Sequence, residues 1–321
     1  METEMLTPLS RRSLMALAAG SLTRAQERIT RPEISEQTCP LERIEPVARD
    51  GHRGLGFLRK PPGAGPFPVI FWIHGGLVTA PAERLRASAL NSITPSRFLA
   101  AGYAVPVITY RSRDQDPQSR VSLEDCLAAV EHVRRMPFVD PKSIVVYGCS
   151  GGGDLALEVA AATELCAVVP EEPASLLLTG IFNSRFPKKG ERFTPMDSSP
   201  ISEDPKRYYT PEYQKLTRAK LARIRCPILI VQGDQHSINR FNAEVLIPEL
   251  RAAGKTLEVI TYPGEPHCFG FNGNRKTAPG MKAVWKLFHD TDAFCRRYLP
   301  TKPKPVDPSL FKHVPMASES C

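Results

Sequence analysis

Residues 143–152 read Ser143-Ile144-Val145-Val146-Tyr147-Gly148-Cys149-Ser150-Gly151-Gly152, an apolar run that ends on a serine set among glycines. Apolar residues without polar alternation describe a strand covered on both faces. Leu155–Ala162 is rich in small residues and reads as a helix able to pack closely on a sheet. Between the two the chain must turn sharply, holding Ser150 in a strained backbone conformation worth ~1–3 kcal/mol. Glycines two positions to either side remove side chains that would collide with the neighbouring strand and helix. This is the G-x-S-x-G elbow in its strand–turn–helix context, which presents a serine hydroxyl at the carboxyl edge of a sheet. A phosphate loop would close on Gly-Lys-Ser/Thr, whereas Gly153 is followed by Asp154-Leu155. Gly51-His52-Arg53-Gly54-Leu55-Gly56 has no suitable helix after it for a dinucleotide site.

Outward from the elbow the pattern repeats. Val69–Ile73, Ala104–Tyr110, Ala167–Val169, Ile228–Val231 and Leu257–Tyr262 are further apolar strands. Helical stretches at Phe98–Ala101, Val121–Met136 and Phe241–Ala253 separate several of them, the first stopping at Gly102 and the second at Pro137. Such alternation predicts an α/β fold, a three-layer sandwich with a mostly parallel sheet and helices on both faces. A polar, proline-rich stretch at about 186–213 is too long for an ordinary crossover and reads as a lid-like insertion.

The chain has 321 residues, enough to bury a full core without staples. Its 31 prolines, against an average usage of ~5%, argue against a helical bundle. The net charge of +8 comes from scattered Lys and Arg, with no run of five, so nucleic acid is not an expected partner. Ser10-Arg11-Arg12-Ser13-Leu14 precedes a weakly apolar stretch to Leu22, which resembles a twin-arginine export signal and is too short to span a bilayer. The expected localisation is therefore periplasmic or secreted, and cytoplasmic if that stretch is only an arm. The eight cysteines are dispersed without C-x-x-C, and Cys126, Cys166 and Cys226 read as core thiols. The seven histidines include no closely spaced ligand set, so no metal is expected.

An acyl-transfer serine needs amide donors for the developing oxyanion. Gly151 follows the nucleophile directly. His74-Gly75-Gly76 ends an earlier strand and supplies the second donor, with Gly75 and Gly76 as candidates. The base must lie after the last strands, and among the histidines His267, in Pro263-Gly264-Glu265-Pro266-His267, has that placement.

These pieces, with Ala101-Gly102-Tyr103-Ala104-Val105 and Pro137-Phe138-Val139-Asp140-Pro141, resemble the α/β-hydrolases, and among them the dienelactone hydrolase and prolyl-oligopeptidase-like esterases. The likeness covers roughly residues 45–299. Together with the twin-arginine-like segment and the prolines after Leu299, it divides the chain into an expected export signal at 1–25, a hydrolase domain at 26–299 and a proline-rich tail at 300–321. In such relatives the triad acid stands three residues after the glycine that ends the penultimate strand, but here that residue is His236. Asp234, next to Gly233, becomes the expected acid. Glu172 and Glu171 are the alternative, at the place where glucuronoyl esterases among others carry a glutamate. The implied activity is cleavage of a small-molecule carboxylic ester through an acyl-enzyme, by Ser150, His267 and Asp234, with no cofactor. A prolyl-oligopeptidase-like peptidase is the first alternative, although only some 20 residues lie between the expected export signal and the first hydrolase strand, too few for that family's propeller. A binding protein without turnover is the second. Oligomeric state and acyl or alcohol preference are not legible.

Overall fold

A computed structural model describes residues 30–76, 79–111, 120–181, 199–272 and 278–315. The export-signal reading at 1–25 lies outside them, as do residues 186–198 of the expected insertion and the last six residues of the tail.

Ten strands are present among these residues: β1 Thr30–Ile34, β2 Glu42–Ile44, β3 Gly56–Arg59, β4 Phe67–Ile73, β5 Val105–Ile108, β6 Val139–Cys149, β7 Ala167–Glu171, β8 Ile228–Gly233, β9 Leu257–Tyr262 and β10 Phe311–Pro315. Eight of them form one sheet in the order β2-β3-β5-β4-β6-β7-β8-β9. β3 is antiparallel to both β2 and β5, and every pairing from β5 to β9 is parallel. Strands that all run one way bring their carboxyl ends to one edge, where loops after β4, β6, β7, β8 and β9 converge.

Alternate residues of each central strand feed opposite cores. Phe71, Ile73, Ile144, Val146, Ile228 and Ile230 pack toward the Val121–Arg134 and Gly151–Ala162 helices. Ile70, Trp72, Val145, Tyr147, Leu229 and Val231 pack toward the Ile93–Ala101 and Ala278–Tyr298 helices. Burying both faces explains why these strands lack polar alternation, each full aliphatic burial contributing about 1.5–3 kcal/mol. The fold is the expected α/β-hydrolase sandwich.

The described part of 186–213 is helical. Ser199–Glu203 and Pro205–Tyr208 are short helices, and Pro211 opens an 11-residue helix to Leu221. Each of the latter two starts with proline after a capping side chain, Asp204 on the Arg207 amide and Thr210 on the Tyr213 amide. They cover a small core of Leu176, Ile181, Ile201, Phe241 and Val245 beyond the ends of β7 and β8.

Beyond Leu299 the prolines keep the chain out of α-helix, and after a single 3-10 turn at Pro308–Leu310 it enters β10, which pairs antiparallel with β1. This segment is fastened to the domain. The Val306 amide donates to Ala100 O at 2.9 Å and the Thr301 hydroxyl to Asp140 at 2.6 Å. Gly102 ends the Ile93–Ala101 helix in the left-handed conformation (φ 104°), and a Cβ there would collide with the Lys304 backbone.

Candidate active site

β6 ends at Cys149 and a helix begins at Gly151, so Ser150 occupies the turn itself. Its backbone is at φ 53° and ψ −117°, the strained geometry expected of the elbow. A Cβ on Gly148 would strike the Gly152 backbone, and one on Gly152 would strike the carbonyls of Ile73 and His74. Backbone bonds hold the turn: Ser150 N donates to Glu171 O at 2.9 Å, and Ser150 O accepts from Asp154 and Ala174. The half-buried Ser150 thus stands at the N-terminus of a 12-residue helix, beside its unpaired amides.

After β4, His74-Gly75-Gly76 lies against the elbow. A Cβ on Gly75 would come to 3.3 Å from Ser150 Cβ and 3.1 Å from Cys149 O. Gly76 has φ 81° with open space around its Cα. Two residues from the end of β5, absent from the sequence expectations, fix this loop. The Tyr110 hydroxyl lies 2.6 Å from Gly76 O and 3.1 Å from His74 O, and its ring stacks on His74. Thr109 Oγ1 meets His74 Nε2 at 3.0 Å and accepts from the Ala80 amide. His74 Nδ1 faces the Gly75 carbonyl at 2.8 Å, so Nδ1 carries the proton, and burial lowers the pKa of the ring, keeping it neutral. With the carbonyls of residues 74–76 all engaged, the loop's peptide planes are fixed.

His267 follows β9, as expected, with its side chain 25% exposed. Its Nδ1 lies 3.0 Å from Glu172 Oε2, the N–H not aimed squarely at the oxygen. Glu172 is fully buried and leaves β7 in a left-handed conformation (φ 42°). Its Oε1 accepts from Gly233 N at 3.1 Å and Asn239 Nδ2 at 3.0 Å, and its Oε2 accepts from Cys268 N. Burial alone would raise its pKa, but the close approach of His267 and the bonds from Asn239 and Cys268 outweigh it and hold the carboxyl below its ordinary value.

The expected acid, Asp234, does not meet His267. Its carboxylate is exposed and accepts from Gln235 Nε2 at 2.6 Å and Gly264 N at 2.8 Å, serving as a clasp between the loops after β8 and β9. The carboxylate that lies beside His267 is instead that of Glu172, the alternative weighed in the sequence. One residue beyond Gly233 is too early in the turn to point at the imidazole. Glu171 points into the other core, accepting from Tyr147 OH at 2.8 Å and Gly270 N at 2.7 Å, and burial pushes its pKa up to about 8. His236, which occupies the position where relatives carry their acid, stacks on His267 with ring centroids 4.2 Å apart and 22° between planes.

A disulfide joins Cys149 to Cys268, Cα atoms 6.0 Å apart, while Cys126, Cys166 and Cys226 are free. It ties the residue before Ser150 to the residue after His267. The signal was present in the sequence: if Ser150 and His267 are neighbours, the cysteines beside them are neighbours too. Among the described residues one trio, Glu172, His267 and Cys268, is close enough to gather a cation, but the Cys268 sulfur is in the disulfide and the Glu172 oxygens already have partners.

The fold is shared with solved esterases. One from Pyrobaculum calidifontis aligns with a TM-score of 0.54 at 18% identity, covering 80% of this chain and 85% of that one. Carboxyl esterase 2 of the fungus Tuber melanosporum aligns at 0.57 and 20% identity, covering 89% and 98%. Human acyl-coenzyme A thioesterase 6 is 29% identical over 250 residues, 71% of this chain, which thus spans about half (55%) of that relative's length. The sequence pattern of the prolyl oligopeptidase family matches residues 109–291, more than half of the chain and the part that holds Ser150, Glu172 and His267. The chain belongs to that family.

Proposed function

We propose that the protein hydrolyses carboxylic esters through an acyl-enzyme, with Ser150 as nucleophile, His267 as base and Glu172 as the acid that orients it. The observation that carries this reading is the convergence of Glu172 Oε2 on His267 Nδ1 at 3.0 Å, with the Cys149–Cys268 link setting His267 beside the serine elbow. Glu172 engages Nδ1, which leaves Nε2 for proton traffic. His267 takes the Ser150 proton as the hydroxyl attacks the acyl carbon. It then returns the proton to the leaving alcohol, and activates water in the second half-reaction. The amide of Gly151, and that of Gly76 or Gly75, receive the oxyanion. The chain's own groups supply each of these roles.

Ester cleavage is favoured over peptide cleavage by the esterases that share the fold, and the thioesterase relative adds acyl thioesters to the substrates worth testing. The test is turnover of p-nitrophenyl acetate, a short acyl thioester and a prolyl p-nitroanilide, with fluorophosphonate labelling of the serine. Ester turnover that Ser150→Ala lowers by on the order of 10⁶, with folding intact, supports the mechanism. Activity of that variant within tenfold of the parent excludes it. Arg11-Arg12 supports export of the protein, and among the described residues no helix is long and apolar enough to cross a membrane.

A further inference from the structure

His236 stands where relatives place an acid, yet it is no acid and its ring lies flat on His267. We propose that His236 is a positioning residue for the catalytic imidazole, a neutral ring that covers one face of His267 and fixes its plane; this rests on the hydrolase reading above. The imidazole of His267 has two ways to lose its working orientation: rotation about the bond to its ring, and displacement of the ring off Glu172. Glu172 restrains one edge through Nδ1, and a single off-line contact leaves the plane free to tilt. A ring 4.2 Å away at 22° removes that freedom.

The protonation state of His236 is set by its backbone surroundings. The Ile238 amide approaches its Nδ1 at 3.2 Å, and since an amide only donates, that nitrogen must be unprotonated. The neutral Nε2–H tautomer follows. Two charged groups on elements packed against it bear on its titration, His267 after β9 opposing a proton and Glu172 after β7 favouring one; Asp234 lies on its own loop. Although the His236 side chain is exposed, its partial desolvation and then His267 lower its pKa, in keeping with a ring that stays neutral when its neighbour takes up a proton. A neutral aromatic face accommodates that cation, whereas a second imidazolium would repel it. The pair therefore works above the titration of His236 and fails below it.

The test uses His236→Ala and His236→Phe in the full-length protein, with p-nitrophenyl acetate kinetics from pH 5 to 9 and ring NMR of His267. His236→Ala is expected to lower kcat about tenfold with KM within twofold and an unchanged melting temperature. His236→Phe keeps the face without the proton, so it should recover kcat to within threefold at pH 8 and lose less activity toward pH 5 than the parent. In the parent, the His267 ring resonances should also sense the titration of His236, and in His236→Phe that response should vanish. Parental kcat in His236→Ala at every pH, or identical His267 titration curves in parent and His236→Phe, would overturn the proposal. If the parent turns over no ester yet the NMR response is seen and vanishes in His236→Phe, the ring pairing stands and the hydrolase reading falls.

Discussion

Two adjacent glutamates at the end of β7 meet opposite fates, and the alternation of a strand explains it. Glu171, still in the strand, points between Tyr147 and Gly270, while Glu172, released from it at φ 42°, swings to His267. Replacing Glu172 by Gln should depress kcat by up to 10⁴, since an amide there favours the wrong tautomer. Asp234→Asn should remain within about threefold of the parent, because its clasp to Gly264 lies at the surface. Turnover of both variants on one ester decides it, and a crippled Asp234→Asn with a healthy Glu172→Gln would return the acid to the loop after β8. Glu171 predicts a pH effect on stability. Its pKa is raised from 4.5 to about 8 by burial, so the folded state holds a proton that the unfolded chain releases near 4.5. Its contribution is full below pH 4.5 and is lost as pH rises toward 8. Glu171→Gln should flatten the fall in denaturant midpoint across that window and leave activity at pH 7 largely intact; an unchanged slope would show that Glu171 ionises without cost. The placement of Ser150 and His267 at one sheet edge was legible because each follows a readable strand. Which carboxylate stands beside His267 was not, since that depends on which way the short turn after Gly233 folds.

At the level of elements, the chain reads most clearly where an element serves one local purpose. Val69–Ile73 and Leu257–Tyr262 are strands in the sequence and in the structure. The Ala278–Tyr298 helix buries Val284, Leu287, Phe288, Phe294 and Cys295, a 3.6-residue stripe obscured in the sequence by Pro279-Gly280 at its start and by charged residues between. The pairing of β1 with β10 joins segments 281 residues apart (Thr30 to Phe311), and nothing local announces it. Gly102 links the two kinds of information. Its stop signal is visible in the sequence, but the Lys304 backbone against it is not. Gly102→Ala should therefore cost about 3 kcal/mol, more than a helix cap alone, by displacing the tail as well as straining the turn. Thermal unfolding measures this, and a loss under 1 kcal/mol would show that the tail gives way easily.

For the whole molecule, six parallel strands bring their carboxyl ends to one edge, and the candidate site is assembled there from groups that are remote in the chain. If Arg11-Arg12 directs export, replacing both with Lys should leave the protein in the cytoplasm at full length, as fractionation of expressing bacteria would reveal; unchanged periplasmic recovery would remove that reading. The disulfide has a further consequence that concerns connectivity instead of geometry. Cys149 and Cys268, 119 positions apart, close the intervening chain into a covalent circle. Ser150, Glu172, His236 and His267 all lie on that circle. One break in its peptide backbone turns the circle into two arms joined at the sulfurs, so the molecule can be nicked there without being divided.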